Sequence, residues 1–382
     1  MNPIAPPPGA PPQAPAEIPE SVRLLTEVCK LAVRQGASDI HLKVGLPPML
    51  RIRGDVAPIP NAPRMTPEAL GSMAWNIMSP TQRERFKNTH DLDMAWQIQG
   101  LGRFRVNVFR QRQAIGMVLR AIPNQVKTAD ELGLPQVIKK IAANPRGLVL
   151  VTGTTGSGKS TTLAAIIEEI NRTSAHHIVT IEDPIEFSFT DRKSVINQRE
   201  VGVDTLSFTS ALRSAMRQDP DVVLVGELRD LETVEIALAA AETGHLVLST
   251  LHTLDAPESI NRILGFFEPH HQQQIRLQLG SVLRAIISQR LMPAKAGGRV
   301  PAVEIMINTG TIYECIVDPG RTKEIPDHMA RGLSQYGTQT YDQSIFRAIN
   351  AGLVDTDVGI RYANNPDELQ LRLSGIGGED WA

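Results

Sequence analysis

The chain has 382 residues, 42% of them hydrophobic and 21% charged, with 39 Lys and Arg against 41 Asp and Glu. That length allows two ordinary domains with full cores, and the composition is that of a soluble globular protein. A formal net charge of −2 excludes a global attraction to nucleic acid or anionic lipid, no run approaches the roughly 20 apolar residues of a membrane span, and the N-terminus lacks the basic start and apolar core of a secretory signal. Cys29 and Cys315 are the two cysteines. At that separation neither a disulfide framework nor a Cys-based zinc site can be read from them, and a reducing compartment is expected. A cytoplasmic protein follows, held at a membrane only through a partner.

The first 20 residues, "MNPIAPPPGAPPQAPAEIPE", are dominated by Pro and Ala. Repeated Pro removes backbone donors and fixes φ, so this arm is expected to be extended and disordered, a solvated tail or a polyproline II ligand. Order is expected from Ser21, where "SVRLLTEVCKLAVRQGA" places Leu24, Val28 and Leu31 at helical spacing between Ser21 as N-cap and Gly36 as stop. The strand-like pieces "SDIHLKVG", "PMLRIRGDV", "DLDMAWQI" and "GRFRVNVFRQR" follow, with helices over "TPEALGSMAWNIM" and "SPTQRERFKN". Residues 21–122 thus read as an α+β domain, and 123–136, "PNQVKTADELGLPQ", as a linker.

From about Val137 apolar runs alternate with helices: "GLVLVTG", a helix from Lys159, "HIVTIED", a helix over "SFTSALRSAMRQ", "DVVLVGE", a helix over "LETVEIALAAAE", and "LVLSTLH". That alternation predicts a parallel sheet covered on both faces. From about residue 256 the pattern is mostly helical, with "PAVEIMI" as one strand candidate and a frayed end over the last ten residues or so.

"GTTGSGKS", Gly153–Ser160, lies between an apolar strand and a helix, the setting in which G-x-x-x-x-G-K-[ST] binds a nucleotide. Gly153, Thr154, Thr155, Gly156, Ser157, Gly158, Lys159, Ser160 and Thr161 are the candidate nucleotide-binding residues. Gly156 and Gly158 let backbone N–H groups close around phosphate, Lys159 neutralises it, Ser160 offers a hydroxyl to Mg²⁺, and the helix N-terminus adds its dipole. ATP and Mg²⁺ are the expected cofactors. The strand "DVVLVGE" delivers Glu227, read as part of a second element that positions Mg²⁺ and an attacking water, or as a helix-capping acid. "HIVTIEDPIEF" delivers Glu182, Asp183 and Glu186 to the same end of the sheet, where ligands of open parallel sheets bind. Glu186 is the candidate for positioning the attacking water. In "GRFRVNVFRQR", Arg103 and Arg105 would share one strand face and Arg110 and Arg112 the other. They are either a solvated stripe or arginine fingers reaching a nucleotide from another domain.

His245 and His252 bracket the strand "LVLSTL". Seven residues separate them by roughly 23 Å in a strand and by about 10 Å in a helix, so no single metal takes both. His252 is expected at the nucleotide cleft as a sensor beside an acid such as Glu227. His245 is expected at the far end, against a neighbouring element or subunit.

Taken in order, "GASDIHL", "GRFRVNVFRQR", "TGTTGSGKSTT", "TIEDPIEF", "NQREVGVDTLSF", "ALRSAMRQDPDVVLVGELRD", "AAETGHLVLSTLHT" and "AIISQRL" resemble the secretion ATPase superfamily, and within it the type IV pilus retraction ATPases of the PilT/PilU group, from about Ser21 to at least Val354. The resemblance implies a RecA-like P-loop ATPase domain over 137–382 behind an N-terminal PAS-like domain. It implies Glu186 as catalytic glutamate, Glu227 in the Walker B segment, His245 and His252 in the His box, and the arginines at the nucleotide. It further implies a homohexamer driving pilus retraction and twitching motility at an inner-membrane platform protein, with paralogous pilus ATPases as possible partners. No nucleic acid and no direct membrane insertion are expected. Arg276 and Arg290 are candidate interface residues.

The retraction pattern "AIRNLIRE" is replaced here by "TIYECIVDP", Thr311–Pro319, which leaves an accessory paralogue as an alternative reading. The sequence lacks the tetracysteine module and long N-terminal regulatory domain of the assembly and secretion ATPases, which weighs against an assembly or secretion ATPase but leaves it as a further alternative. A nucleotide-dependent regulator without turnover and a nucleic-acid translocase are the remaining alternatives.

Overall fold

The computed structural model describes residues 18–52, 54–123, 125–376 and 381. The proline-rich arm expected over 1–20 lies outside them up to residue 17. Contacts divide the chain into two compact units at Asn124/Gln125.

The first unit contains α1 (Glu20–Arg34), β1 (Asp39–Lys43), β2 (Met49–Ile52), β3 (Asp55–Pro58), α2 (Pro67–Ile77), α3 (Pro80–Thr89), β4 (Asp91–Ile98), β5 (Gly102–Gln111) and β6 (Ala114–Ala121). Its sheet has the order β3-β2-β1-β6-β5-β4. α1 buries Leu25, Val28, Cys29 and Ala32, an i, i+3, i+4, i+7 stripe one residue away from the face expected through Leu24, which is 42% exposed. Ser21 does not cap this helix: the N-cap is Pro19, and the Ser21 hydroxyl accepts from Asn76 Nδ2 at 3.0 Å. α2 and α3 begin on Thr66 and Ser79, the latter with a reciprocal Ser79–Gln82 capping box.

β6, which the sequence pattern did not mark, forms a hairpin with β5. Gln111 pairs with Ala114, leaving Arg112 and Gln113 as a two-residue turn with φ of 47° and 66°, the backbone of a type I′ hairpin. Arg112 is therefore a turn residue and shares no strand face with Arg110.

The second unit contains α4 (Val137–Ala142), β7 (Gly147–Thr152), α5 (Lys159–Thr173), β8 (His177–Glu182), β9 (Val195–Glu200), α6 (Phe208–Ala215), β10 (Val222–Val225), α7 (Leu231–Glu242), β11 (Leu246–Leu251), α8 (Ala256–Leu264), α9 (Gln272–Val282), β12 (Leu283–Pro293), β13 (Arg299–Ile307), α10 (Gly310–Val317), α11 (Ile325–Arg331), α12 (Leu333–Tyr336), α13 (Tyr341–Asn350), α14 (Thr356–Tyr362) and α15 (Pro366–Leu373), with a 3₁₀ turn at Thr322–Glu324. The sheet runs β13-β12-β7-β11-β10-β8-β9, parallel throughout except for the β12–β13 pair. β7, β10 and β11 are buried along their whole length, as a sheet covered on both faces requires.

Among the described residues after 256 two strands are present rather than one: besides β13 there is β12, which pairs with β7 from Leu283 to Ser288. The expected linker is packed rather than loose in its second half, because Ala129 and Leu134 are buried with Val137, Ile138 and Ile141. Most of the expected frayed end, 377–380 and 382, lies outside the described residues. Trp381 is 7% exposed and meets Phe346 edge-on at 5.8 Å. Arg276 and Arg290 make bonds within the chain: Arg276 Nη1 donates to Ile316 O at 2.8 Å, and Arg290 Nη1 to Tyr362 O at 2.9 Å.

Candidate nucleotide site

The parallel strands bring the C-terminal ends of β7, β11, β10 and β8 to one edge of the sheet. β7 continues into Gly153–Gly158, and α5 starts at Lys159. Gly153, Gly156 and Gly158 have φ of 139°, 79° and 95°, a backbone that L side chains rarely adopt. The loop is also pressed onto β12. A Cβ at Gly153 would lie 2.4 Å from the Gln289 carbonyl oxygen, and one at Gly158 would lie 2.8 Å from Gln289 Nε2. Gln289 in turn accepts the buried Thr162 hydroxyl at 2.6 Å.

Lys159 Nζ donates to Gly153 O at 2.8 Å and to Thr154 O at 2.9 Å. Burial lowers its pKa, and the charges of Glu227 and Glu186 oppose that shift. The acids across the cleft thus only partly offset the cost of burying this cation.

One cleft of about 280 Å³ is lined by Thr155, Gly156, Lys159 and Ser160 from the loop and α5, Glu182, Asp183 and Glu186 from the end of β8, Glu227 and Arg229 after β10, and His252 after β11. Glu227 is ion-paired with Arg229, and His252 Nε2 lies 3.5 Å from Glu227 Oε2. The helix-capping alternative for Glu227 is excluded, since the α7 N-cap is Asp230, which accepts from Thr233 N at 2.8 Å. Of the three acids after β8, Glu182 is an anchor. It accepts from Thr180 Oγ1 at 2.6 Å and Gln198 Nε2 at 3.2 Å, and burial raises its pKa. Asp183 and Glu186 are exposed.

The remaining residues fall elsewhere. Gly153, Thr154 and Ser157 line a second cavity of about 350 Å³ on the other side of the loop, with Gln289, Arg290 and Tyr341. Thr161 is half-buried in α5 and is no part of either wall. His245 is at the opposite end of β11 from His252, where its Nδ1–H donates at 2.9 Å to Ala240 O in the last turn of α7, a carbonyl that also accepts from His245 N at 3.1 Å. Arg103 and Arg105 alternate with the buried Phe104, Val106 and Val108 on β5, and Arg105 Nε lies 3.8 Å from Asp93. Arg110 and Arg112 are exposed. Two contributors went unmarked by the motifs, Arg229 and Gln289. Each acts through geometry that only the folded sheet sets, although "GELRD" and "AIISQRL" contain them.

The residues fit a magnesium nucleotide. The loop is a cradle that a Cβ would obstruct at Gly153 and Gly158, the Ser157 hydroxyl is buried with no hydrogen-bond partner, and Ser160 and Glu227 border the same cleft. Hydroxyl and carboxylate oxygens are the donors that Mg²⁺ prefers.

A P-loop on a fully buried strand, with acids delivered by its neighbours, defines a RecA-like P-loop nucleotide-binding fold. The type II/IV secretion system protein family matches residues 17–316, and the chain belongs to that family. It is 45% identical over 345 residues to the type IV pilus retraction ATPase PilT of Pseudomonas aeruginosa, covering 90% of this chain and 99% of that one. It is 38% identical over 348 residues to the type IV pilus ATPase PilU of the same organism, covering 91% and 90%. Among solved structures, the pilus retraction motor PilT with bound ADP superposes with a TM-score of 0.83 at 44% identity, over 90% of this chain and 98% of that one.

Proposed function

We propose that this chain is an ATP-hydrolysing motor that works as a homohexamer and powers type IV pilus retraction, acting on an inner-membrane platform protein. The observation that carries this reading is the single cleft walled by Lys159, Ser160, Glu186 and Glu227, in a chain matching a retraction ATPase over nine-tenths of its length.

In this reading the backbone N–H groups of Gly153–Lys159 and the N-terminus of α5 hold the phosphates, and Lys159 exchanges its two loop carbonyls for phosphate oxygens. Ser160 and Glu227 would hold Mg²⁺, which when bound would neutralise phosphate charge. Glu186 orients the attacking water. His252, beside Glu227, senses what occupies the cleft. Arg103, Arg105, Arg110 and Arg112 are the arginine-finger candidates of this reading. Among the described residues no helix is long and apolar enough to cross a membrane.

Steady-state phosphate release from the purified hexamer tests the enzymatic half: Mg²⁺-dependent turnover abolished by Lys159→Ala supports it, and absence of turnover in the intact hexamer makes the chain a regulator. The segment Thr311–Pro319, where the retraction pattern is replaced, favours one second reading, a PilU-like accessory motor. Retraction that needs a paralogue in the same cell would select it.

A further inference from the structure

Cys315 in α10, Glu324 in the 3₁₀ turn and His328 in α11 converge although the sequence separates them. One ligand atom from each, a thiol sulfur, a carboxylate oxygen and a ring nitrogen, lies within 4.8 Å of the other two. The group belongs to the second unit and shares no residue with the nucleotide cleft. Cys315 is fully buried, in the same cluster as Ile312, Ile316, Ile325 and Met329. His328 Nε2 is buried and has no hydrogen-bond partner. Glu324 Oε2 is 3.8 Å from it, beyond hydrogen-bond reach.

Neighbouring bonds fix the three elements. Thr322 Oγ1 donates to Cys315 O at 3.1 Å, and Arg276 Nη1 donates to Ile316 O at 2.8 Å and Thr322 Oγ1 at 3.2 Å. Arg321 bridges Glu324 at 3.1 Å and Glu314 at 2.9 Å. An ion pair between Arg321 and Glu324 accounts for the carboxylate, but it leaves the buried imidazole nitrogen beside the thiol unexplained.

We propose that Cys315, Glu324 and His328 bind one divalent cation of the zinc class, independently of the magnesium nucleotide. Sulfur and imidazole donors select a borderline-soft ion such as Zn²⁺ over Mg²⁺ or Ca²⁺. With Zn–S about 2.3 Å and Zn–N or Zn–O about 2.0 Å, tetrahedral donors sit roughly 3.3–3.5 Å apart, so the three groups close by up to about 1.5 Å. The Cys315 thiol gives up its proton to solvent as the metal–sulfur bond forms. A carboxylate has about four lone-pair sites, so Glu324 keeps Arg321 while it ligates, and water takes the fourth position. The ion clips α11 to α10, the helix in which the retraction pattern is replaced.

The test is Co²⁺ added to metal-stripped, untagged, nucleotide-free full-length protein. The proposal expects one equivalent bound with a sulfur-to-cobalt charge-transfer band and tetrahedral visible bands, displaced by Zn²⁺, and a melting midpoint that rises with Zn²⁺. Cys29→Ala keeps all of this. Cys315→Ala and His328→Gln both lose it while still binding nucleotide, and His328→Gln, altering a half-buried side chain, serves as the test should the core variant fail to fold. Cobalt bound without the sulfur band in wild type, or a band retained in either variant, would overturn the proposal.

Discussion

The Thr162 hydroxyl donates to Gln289 Oε1 at 2.6 Å in a buried bond that ties β12 to α5 directly behind the P-loop. The same glutamine faces Gly153 and Gly158 with its carbonyl oxygen and its amide nitrogen. Gln289→Ala leaves the Thr162 hydroxyl buried without its acceptor, a loss of about 1–3 kcal/mol. Lower stability is expected in denaturant melts, together with weaker nucleotide binding by titration. A variant with wild-type affinity and midpoint would show that β12 does not shape the loop.

Glu186 is exposed at the cleft, and in the proposed reading it orients water rather than holding phosphate. Glu186→Gln is expected to bind ATP as wild type does and to lose about 10²–10⁴-fold in turnover. Lys159→Ala, by contrast, should fail at binding. Fluorescent-nucleotide titration and phosphate release on the same samples separate the two, and near-normal turnover in Glu186→Gln removes that residue from its role.

Arg105 is paired at 3.8 Å with Asp93, and both side chains are about half exposed. Such a pair contributes at most about 1 kcal/mol, so Arg105→Ala should melt close to wild type. If Arg105 is a finger, turnover falls while nucleotide affinity holds. Unchanged turnover in Arg105→Ala and Arg103→Ala would make this stripe a solvated face.

Glu304 on β13 is 3% exposed and accepts from Ala256 N at 2.9 Å and Ser288 Oγ at 3.2 Å. Burial above all pushes its pKa from 4.5 to about 7, against the hydrogen bond from Ala256 N–H. An acid whose folded value is raised binds more protons folded than unfolded, so its contribution to stability falls as pH rises from 4.5 to about 7 and the loss is complete above that. Glu304→Gln keeps an oxygen for both donors and removes the titration. It should flatten the melting profile across this window and, above it, exceed wild type by roughly 3 kcal/mol at most. Parallel profiles for the two proteins would contradict this.

The P-loop and the acids after β8 and β10 were legible because each lies within a few residues of its strand and helix, in apolar runs bounded by turns. β12 was not, since α9 ends at Val282 and β12 starts at Leu283 with no turn residue between them, and an apolar run such as "AIISQRL" suits a buried helix as well as a strand. β9, "VINQRE", hides for the opposite reason: it is an edge strand, polar and partly exposed. Arg112 misled because a type I′ turn is announced by Gly or Asn, and here Arg112 and Gln113 take positive φ without either. The partner of His245 is hidden in the sequence, because its hydrogen bond to Ala240 O depends on how closely α7 turns into β11. The Cys315–Glu324–His328 group is set by a chain reversal between helices, which no spacing rule encodes.

The most direct test of the motor is a count of surface pili on cells lacking this protein, complemented with wild type or with Glu186→Gln. Excess pili and lost twitching, corrected by wild type alone, are the predicted result. Loss of pili in the deletion strain, or full correction by a Glu186→Gln protein that has been shown not to turn over ATP, would contradict a hydrolysis-driven retraction motor.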